Sequence, residues 1–131
     1  MSINNKEYHS LFMDYSSMYK DGNHPSDIDM FYLGKDECLI LGEIKNETYK
    51  KENWEHQKKL FEPLINNYTK EAFYLFIVHN KYFQNGDREV NVPECIVKEY
   101  YYKKPNYKAK WIVPRRTIKV KEVLSKYGPT N

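Results

Sequence analysis

Acidic residues and one lysine lie where a β-hairpin would bring them together. Asp27 and Asp29 precede an apolar run, and Glu43 and Lys45 end a second apolar run. Alternate side chains of a strand point to the same face, so each pair shares one face of its strand. Carboxylates can hold a magnesium ion, and an ammonium group beside them can offset charge on phosphate oxygens. The hairpin therefore predicts one site made of these acids and the lysine.

The spelling P-S-D-I-D at residues 25–29, followed by E-I-K at residues 43–45, resembles the PD-(D/E)XK nuclease superfamily. That superfamily includes type II restriction enzymes and Holliday-junction resolvases, and the resemblance covers residues 25–60. It implies an α/β fold with a restriction endonuclease-like core, a mixed central sheet flanked by helices in the order αβββαβ. It also implies a metal-dependent nuclease that uses Mg²⁺ or Mn²⁺ on DNA and leaves a 5′-phosphate and a 3′-hydroxyl.

The resemblance also implies roles for individual residues. Asp29 and Glu43 would bind the metal together with the backbone carbonyl of Ile44, and Lys45 would assist the attacking water. Asp29 is preferred to Asp27 because related sequences place the ligand directly before the apolar strand residues. Asp27 is assigned to a second metal or to a supporting role. The alternative for any one of these acids is a solvated strand end.

Two further residues are candidates for the site. Gln57 shares the apolar face of a predicted helix with Trp54 and Phe61, where an unpaired amide is costly to bury. Several branches of the superfamily carry a glutamine on this helix, so Gln57 is predicted to contact Lys45, a carboxylate or the phosphate. A glutamine bonded to backbone at the core rim explains it equally well. Glu7 could add an acid, although acids in a first helical turn commonly complement the helix dipole.

Basic and aromatic residues alternate in the segment 100–116. Basic side chains can neutralise phosphates while aromatic rings stack on bases. A solvated sheet edge would have the same composition. The predicted nucleic-acid-binding residues are Lys103, Lys104, Lys108, Lys110, Arg115 and Arg116.

Length and composition limit the class of protein. The 131 residues predict a single domain spanning 1–131, and a net charge of +3 permits a nucleic-acid partner without requiring one. Cys38 and Cys95 lack the spacing of a zinc site or a redox pair. No signal-peptide pattern and no apolar run of about 20 residues is present. We therefore expect a soluble, cytoplasmic protein without a membrane partner.

Periodicity predicts the order of elements. Helical spacing appears over residues 4–19, strands over 27–33 and 37–45, and a helix from residue 48 that Pro63 should kink or end. A strand buried on both faces is predicted over 72–79. Further strands are predicted over 94–102 and 110–113, and a closing helix over 117–127.

Other functions remain open from the sequence. One alternative is a non-catalytic DNA- or protein-binding module on the same fold, such as a phage-encoded inhibitor of host defence. Another is an RNA-binding protein that uses the tyrosine- and lysine-rich segment. Cleavage of both DNA strands by so small a chain would require a homodimer, and a partner protein could supply targeting.

Overall fold

The computed structural model describes residues 29–128. These form a mixed α/β fold with one five-stranded sheet, whose strands are hydrogen-bonded in chain order, and two helices. The helix predicted over residues 4–19, with Glu7, and the candidate ligand Asp27 lie outside the described residues. The strands are β1 (Met30–Leu33), β2 (Leu39–Asn46), β3 (Ala72–His79), β4 (Ile96–Lys103) and β5 (Lys110–Ile112), and the helices are α1 (Lys51–Asn67) and α2 (Val120–Tyr127).

The predicted hairpin is present. β1 and β2 pair antiparallel, with Met30 opposite Gly42, and a short 3₁₀ turn at Lys35–Glu37 connects them. Gly34 precedes this turn, and a Cβ atom there would lie 1.9 Å from the Tyr127 carbonyl oxygen. The glycine therefore lets the end of α2 approach the hairpin.

Helix α1 connects two parallel strands. β2 and β3 run parallel, with Glu43 opposite Phe76, whereas β3–β4 and β4–β5 are antiparallel. A parallel pair needs a crossover, and α1 provides it. The prediction that residues 72–79 form a strand buried on both faces is confirmed, since only Val78 and His79 are partly exposed.

Within residues 29–128, one helix packs on each face of the sheet. On the first face, the Trp54 ring of α1 meets Phe76 edge-on with ring centroids 4.3 Å apart, and Phe61 stacks on Tyr74 at 4.6 Å. The start of α1 thus lies over the end of β3, so the helix runs antiparallel to β2 and β3. On the second face, α2 buries Val120 against the sheet.

The sequence predicts that Pro63 kinks or ends its helix. The helix does not end at Pro63, because α1 continues to Asn67. Proline removes one N–H donor from the helix interior, but the remaining turn is retained by other contacts. Ile65 is fully buried, and the Asn67 side-chain amide donates to the Pro63 carbonyl at 2.8 Å. Packing of the last turn therefore outweighs the local cost of the proline.

One edge of the sheet carries exposed apolar side chains. Phe31 and Leu33 on β1 are 65% and 52% exposed, and Leu64 of α1 is 52% exposed. The homodimer expected from the sequence stays a prediction. Neither helix within residues 29–128 combines the length and the apolar character that a membrane crossing requires.

Candidate functional site

The hairpin brings Asp29, Glu43 and Lys45 together. Asp29 directly precedes β1, and the other two side chains project from the last part of β2 on the face covered by α1. Lys45 Nζ lies 3.1 Å from Glu43 Oε1. The Ile44 backbone N–H donates to Asp29 Oδ2 at 2.8 Å. The carboxylate of Asp29 thus extends the hairpin pairing by one position.

The Ile44 carbonyl lies on the Asp29 side of β2. The N–H and the C=O of one strand residue point to the same edge of the strand. Since the Ile44 N–H is directed to Asp29, its carbonyl oxygen is directed to that edge as well. The backbone oxygen predicted as a metal ligand is therefore oriented to the side from which Asp29 approaches.

Glu43 is a buried carboxylate, 5% exposed. Burial raises the pKa of Glu43 above its ordinary value, and the negative charge of Asp29 raises it further, while the hydrogen bond and charge of Lys45 oppose the rise. Glu43 Oε2 is buried and has no hydrogen-bond partner within residues 29–128. The surroundings of Glu43 therefore disfavour the charged form of its carboxyl group.

Lys45 is held in a position to remain charged. Burial lowers its pKa, but the hydrogen bond and negative charge of Glu43 outweigh that effect, and the net pKa is raised. The ammonium also lies over the Tyr49 ring, 5.0 Å from the ring centroid, an attractive cation–π geometry. The side chain is 30% exposed, so it is accessible to a bound substrate.

The donor set fits a divalent cation. Two adjacent carboxylates and one ammonium leave a net negative charge at the end of β2. Hard cations such as Mg²⁺ bind through one or two carboxylates and retain several waters. Within residues 29–128, no three His, Cys, Asp or Glu side chains group in a way that could hold a metal, so a cation here would have only these two acids and a backbone oxygen as described ligands.

Gln57 lies on the side of α1 that faces β1 and β2. It precedes Leu64 by seven residues, and Leu64 borders a groove with Phe31 and Leu41. Because α1 runs antiparallel to β2, Gln57 is placed toward the Glu43 end of that strand. Its Oε1 atom is buried and has no hydrogen-bond partner among the described residues. The predicted contact with the site stays a prediction.

The structure corrects the expectation for Lys103. Its side chain is buried, 8% exposed, and Nζ donates to the Tyr68 carbonyl at 2.7 Å. The Lys103 side chain thus connects β4 to the end of α1 by a hydrogen bond and is unavailable to a phosphate. The half-buried Trp111 ring of the segment 100–116 packs against Tyr101 and Phe76.

The other basic residues are exposed but do not surround the carboxylates. The turn that carries Lys104 and Lys108 follows the end of β4, and Lys103 there pairs with Ala72 at the start of β3. The site lies toward the opposite end of β3. Arg116 is paired with Glu122 at 3.0 Å. The exposed basic residues of the predicted surface are Lys104, Lys108, Lys110, Arg115 and Arg116.

Sequence reasoning missed a second charged group on the same face. Lys58 Nζ lies 2.7 Å from Glu99 Oε1, 3.3 Å from Glu55 Oε1 and 4.5 Å from the Trp111 ring centroid. Lys58 is only 9% exposed. Its spacing of four residues from Trp54 and three from Phe61 places it on the inward stripe of α1, and that spacing is the signal that could have identified it.

Comparison with known proteins returns nothing similar: the chain matches no protein-family model, no curated protein and no solved structure. The account of the site therefore depends on the geometry of the described residues.

Replacing Glu43 by glutamine is expected to stabilise the fold near neutral pH. A carboxyl whose folded pKa is raised contributes stability at low pH that is lost as the pH rises through that pKa. Glu43→Gln removes this loss while its amide oxygen can still accept from Lys45. Urea unfolding from about pH 4 to pH 8 should give equal midpoints at the acidic end and a higher midpoint for the variant at neutral pH. A variant less stable than the wild type at pH 7 would contradict the cause assigned to the pKa shift.

Proposed function

We propose that the protein is a metal-dependent nuclease that hydrolyses DNA phosphodiester bonds. The observation that carries this proposal is the convergence of Asp29 with the buried Glu43 carboxylate and the half-buried Lys45 at the end of β2. A buried acid with a raised pKa, beside a second acid, destabilises the fold. Perturbed ionisable groups concentrate at functional sites, so this arrangement supports a catalytic role over a purely structural one.

The same residues fit the PD-(D/E)XK superfamily, and we propose the restriction endonuclease-like core for this chain. Two features support it: the antiparallel β1–β2 hairpin that carries the acids, and the crossover through α1 to the parallel β3. Glu43 and Lys45 lie on β2, the strand that the crossover follows.

Asp29, Glu43 and the Ile44 carbonyl would hold Mg²⁺ or Mn²⁺. The bound ion would supply polarisation of a water molecule and neutralisation of phosphate charge. Glu43 and Asp29 contribute negative charge that selects a cation at this point of the hairpin. The chain's own task is then to fix these oxygens, and the hydrogen bond from the Ile44 N–H does so for the Asp29 carboxylate.

Lys45 acts as a charged donor in this proposal. Its raised pKa keeps the ammonium protonated at neutral pH, so it cannot accept a proton from the attacking water. A protonated Lys45 instead donates hydrogen bonds to the water or to a phosphate oxygen and offsets the charge that develops there. Tyr49 and Glu43 hold the ammonium at this position.

Metal binding tests the proposal without depending on the choice of DNA substrate. Titration of the apo protein with Mn²⁺ by calorimetry should reveal a site whose affinity falls at least about tenfold in Asp29→Asn and in Glu43→Gln. Glu47→Gln is the matched control, because Glu47 is an exposed acid near the same end of β2 that accepts from Tyr82. Equal Mn²⁺ affinity in all four proteins would contradict the assigned ligands. The absence of Mn²⁺ binding would favour the non-catalytic binding module.

A further inference from the structure

Four buried polar atoms near the Asp29 and Glu43 carboxylates lack a hydrogen-bond partner among the described residues. Glu43 Oε2, Trp54 Nε1, Gln57 Oε1 and the Tyr74 hydroxyl are each buried without a hydrogen-bond partner among the described residues. A buried polar group without a partner is unfavourable because it has lost its hydrogen bonds to water, so such groups are rare in native proteins. Several at one place indicate that a further molecule joins them.

Contacts and register place these groups in one region between β2, β3 and α1. Tyr74 precedes Phe76 on the same face of β3, and Phe76 is the register partner of Glu43. The Tyr74 and Phe76 ring centroids lie 5.1 Å apart. Burial raises the pKa of Tyr74, and the charges of Glu43 and Asp29 raise it further. The Trp54 ring contacts Phe76, and Gln57 follows Trp54 by one helical turn.

The donors and acceptors are balanced. The Trp54 indole N–H and the Tyr74 hydroxyl each donate one hydrogen, while Glu43 Oε2 and Gln57 Oε1 each accept. A water molecule accepts two hydrogen bonds and donates two. Buried waters typically make about three hydrogen bonds to polar groups that otherwise lack partners. One water has the donors and acceptors to satisfy all four groups, whereas an anion would be repelled by the two carboxylates.

We propose that a buried water joins Glu43 to Trp54, Gln57 and Tyr74, and that Tyr74 is a positioning residue for the Glu43 carboxylate. The water holds Oε2 on the core side, so Oε1 stays toward Lys45. Tyr74 does not touch the substrate in this arrangement. Its effect on metal binding rests on the proposed nuclease site, but the water network does not.

The water network is tested first, by NMR of the metal-free protein. Trp54 and Trp111 give two indole N–H signals, and Trp111 donates to Glu62 instead. The Trp54 indole hydrogen should show a nuclear Overhauser effect to a long-lived water that is distinguishable from hydrogen exchange. Tyr74→Phe should shift that indole signal and remove the contact. Tyr101→Phe is the control, since it deletes another buried hydroxyl, one that accepts from Asn66. Absence of the water contact in the wild type would overturn the proposal.

Metal affinity tests the positioning role. If the wild type binds Mn²⁺, Tyr74→Phe should weaken it about tenfold, and Tyr101→Phe should leave it unchanged. A Tyr74→Phe protein that keeps full Mn²⁺ affinity would overturn the positioning role. If the wild type binds no Mn²⁺ while the indole–water contact is present, the nuclease proposal fails and the buried network stands by itself.

Discussion

Lys45→Met is expected to lower the rate of metal-dependent DNA cleavage by at least about 100-fold while leaving Mn²⁺ binding in place. Methionine preserves most of the side-chain volume and removes the positive charge that faces the developing phosphate charge. The metal ligands Asp29 and Glu43 keep their charges, so the cation site becomes more negative. Single-turnover cleavage rates and Mn²⁺ calorimetry on the same preparations measure the two effects separately.

Two companion variants sharpen this prediction. Lys50→Met removes an exposed lysine that precedes α1, and its cleavage rate should match the wild type within about twofold, because charges exposed to solvent are screened. Lys45→Arg keeps the charge but cannot reproduce the compact ammonium geometry, so partial activity is expected. Full activity in Lys45→Met would remove lysine from the mechanism.

Lys58→Met is expected to destabilise the fold by about 3 kcal/mol without acting through the carboxylate site. The substitution removes the ammonium paired with Glu99, whose side chain is 16% exposed, and it also removes the cation–π contact with Trp111. Equilibrium urea unfolding measures the loss. Lys70→Met is the matched control, since Lys70 pairs with Glu37 on the surface and such pairs contribute at most about 1 kcal/mol.

The double variant Lys58→Met/Glu99→Gln separates pairing from packing. Removing both charges should recover much of the lost stability, because the penalty of the single variant comes mainly from the unpaired Glu99 carboxylate. A double variant as unstable as Lys58→Met would show instead that the lysine stem and its contact with Trp111 carry the effect.

Strong local periodicity predicted the elements that hold the site. The unbroken apolar run of β3 indicates a strand covered on both faces, and it is found at Ala72–His79. The hairpin was equally predictable, because a short polar turn separates two strand patterns. Asp29, Glu43 and Lys45 followed from alternation along those strands.

The features that sequence reasoning missed depend on tertiary contacts. The sequence alone does not show the partner of Lys58, because Glu99 lies 41 residues later, on β4. Lys103 reads as part of a basic surface until its ammonium meets the Tyr68 carbonyl. Composition alone cannot distinguish a solvated lysine from a buried one whose ammonium is paired, because the long apolar stem of lysine permits both.

The central claim is tested most directly by cleavage of labelled single-stranded, duplex and branched DNA with Mg²⁺, Mn²⁺ or a chelator. Wild type should be compared with Glu43→Ala and Lys45→Ala, with Glu47→Gln as the control. The account predicts metal-dependent cutting by the wild type and Glu47→Gln, cutting that is lost in both alanine variants and in chelator. A wild type inert on every substrate, or alanine variants that cut as well as the wild type, would contradict the assignment of a nuclease site to this hairpin.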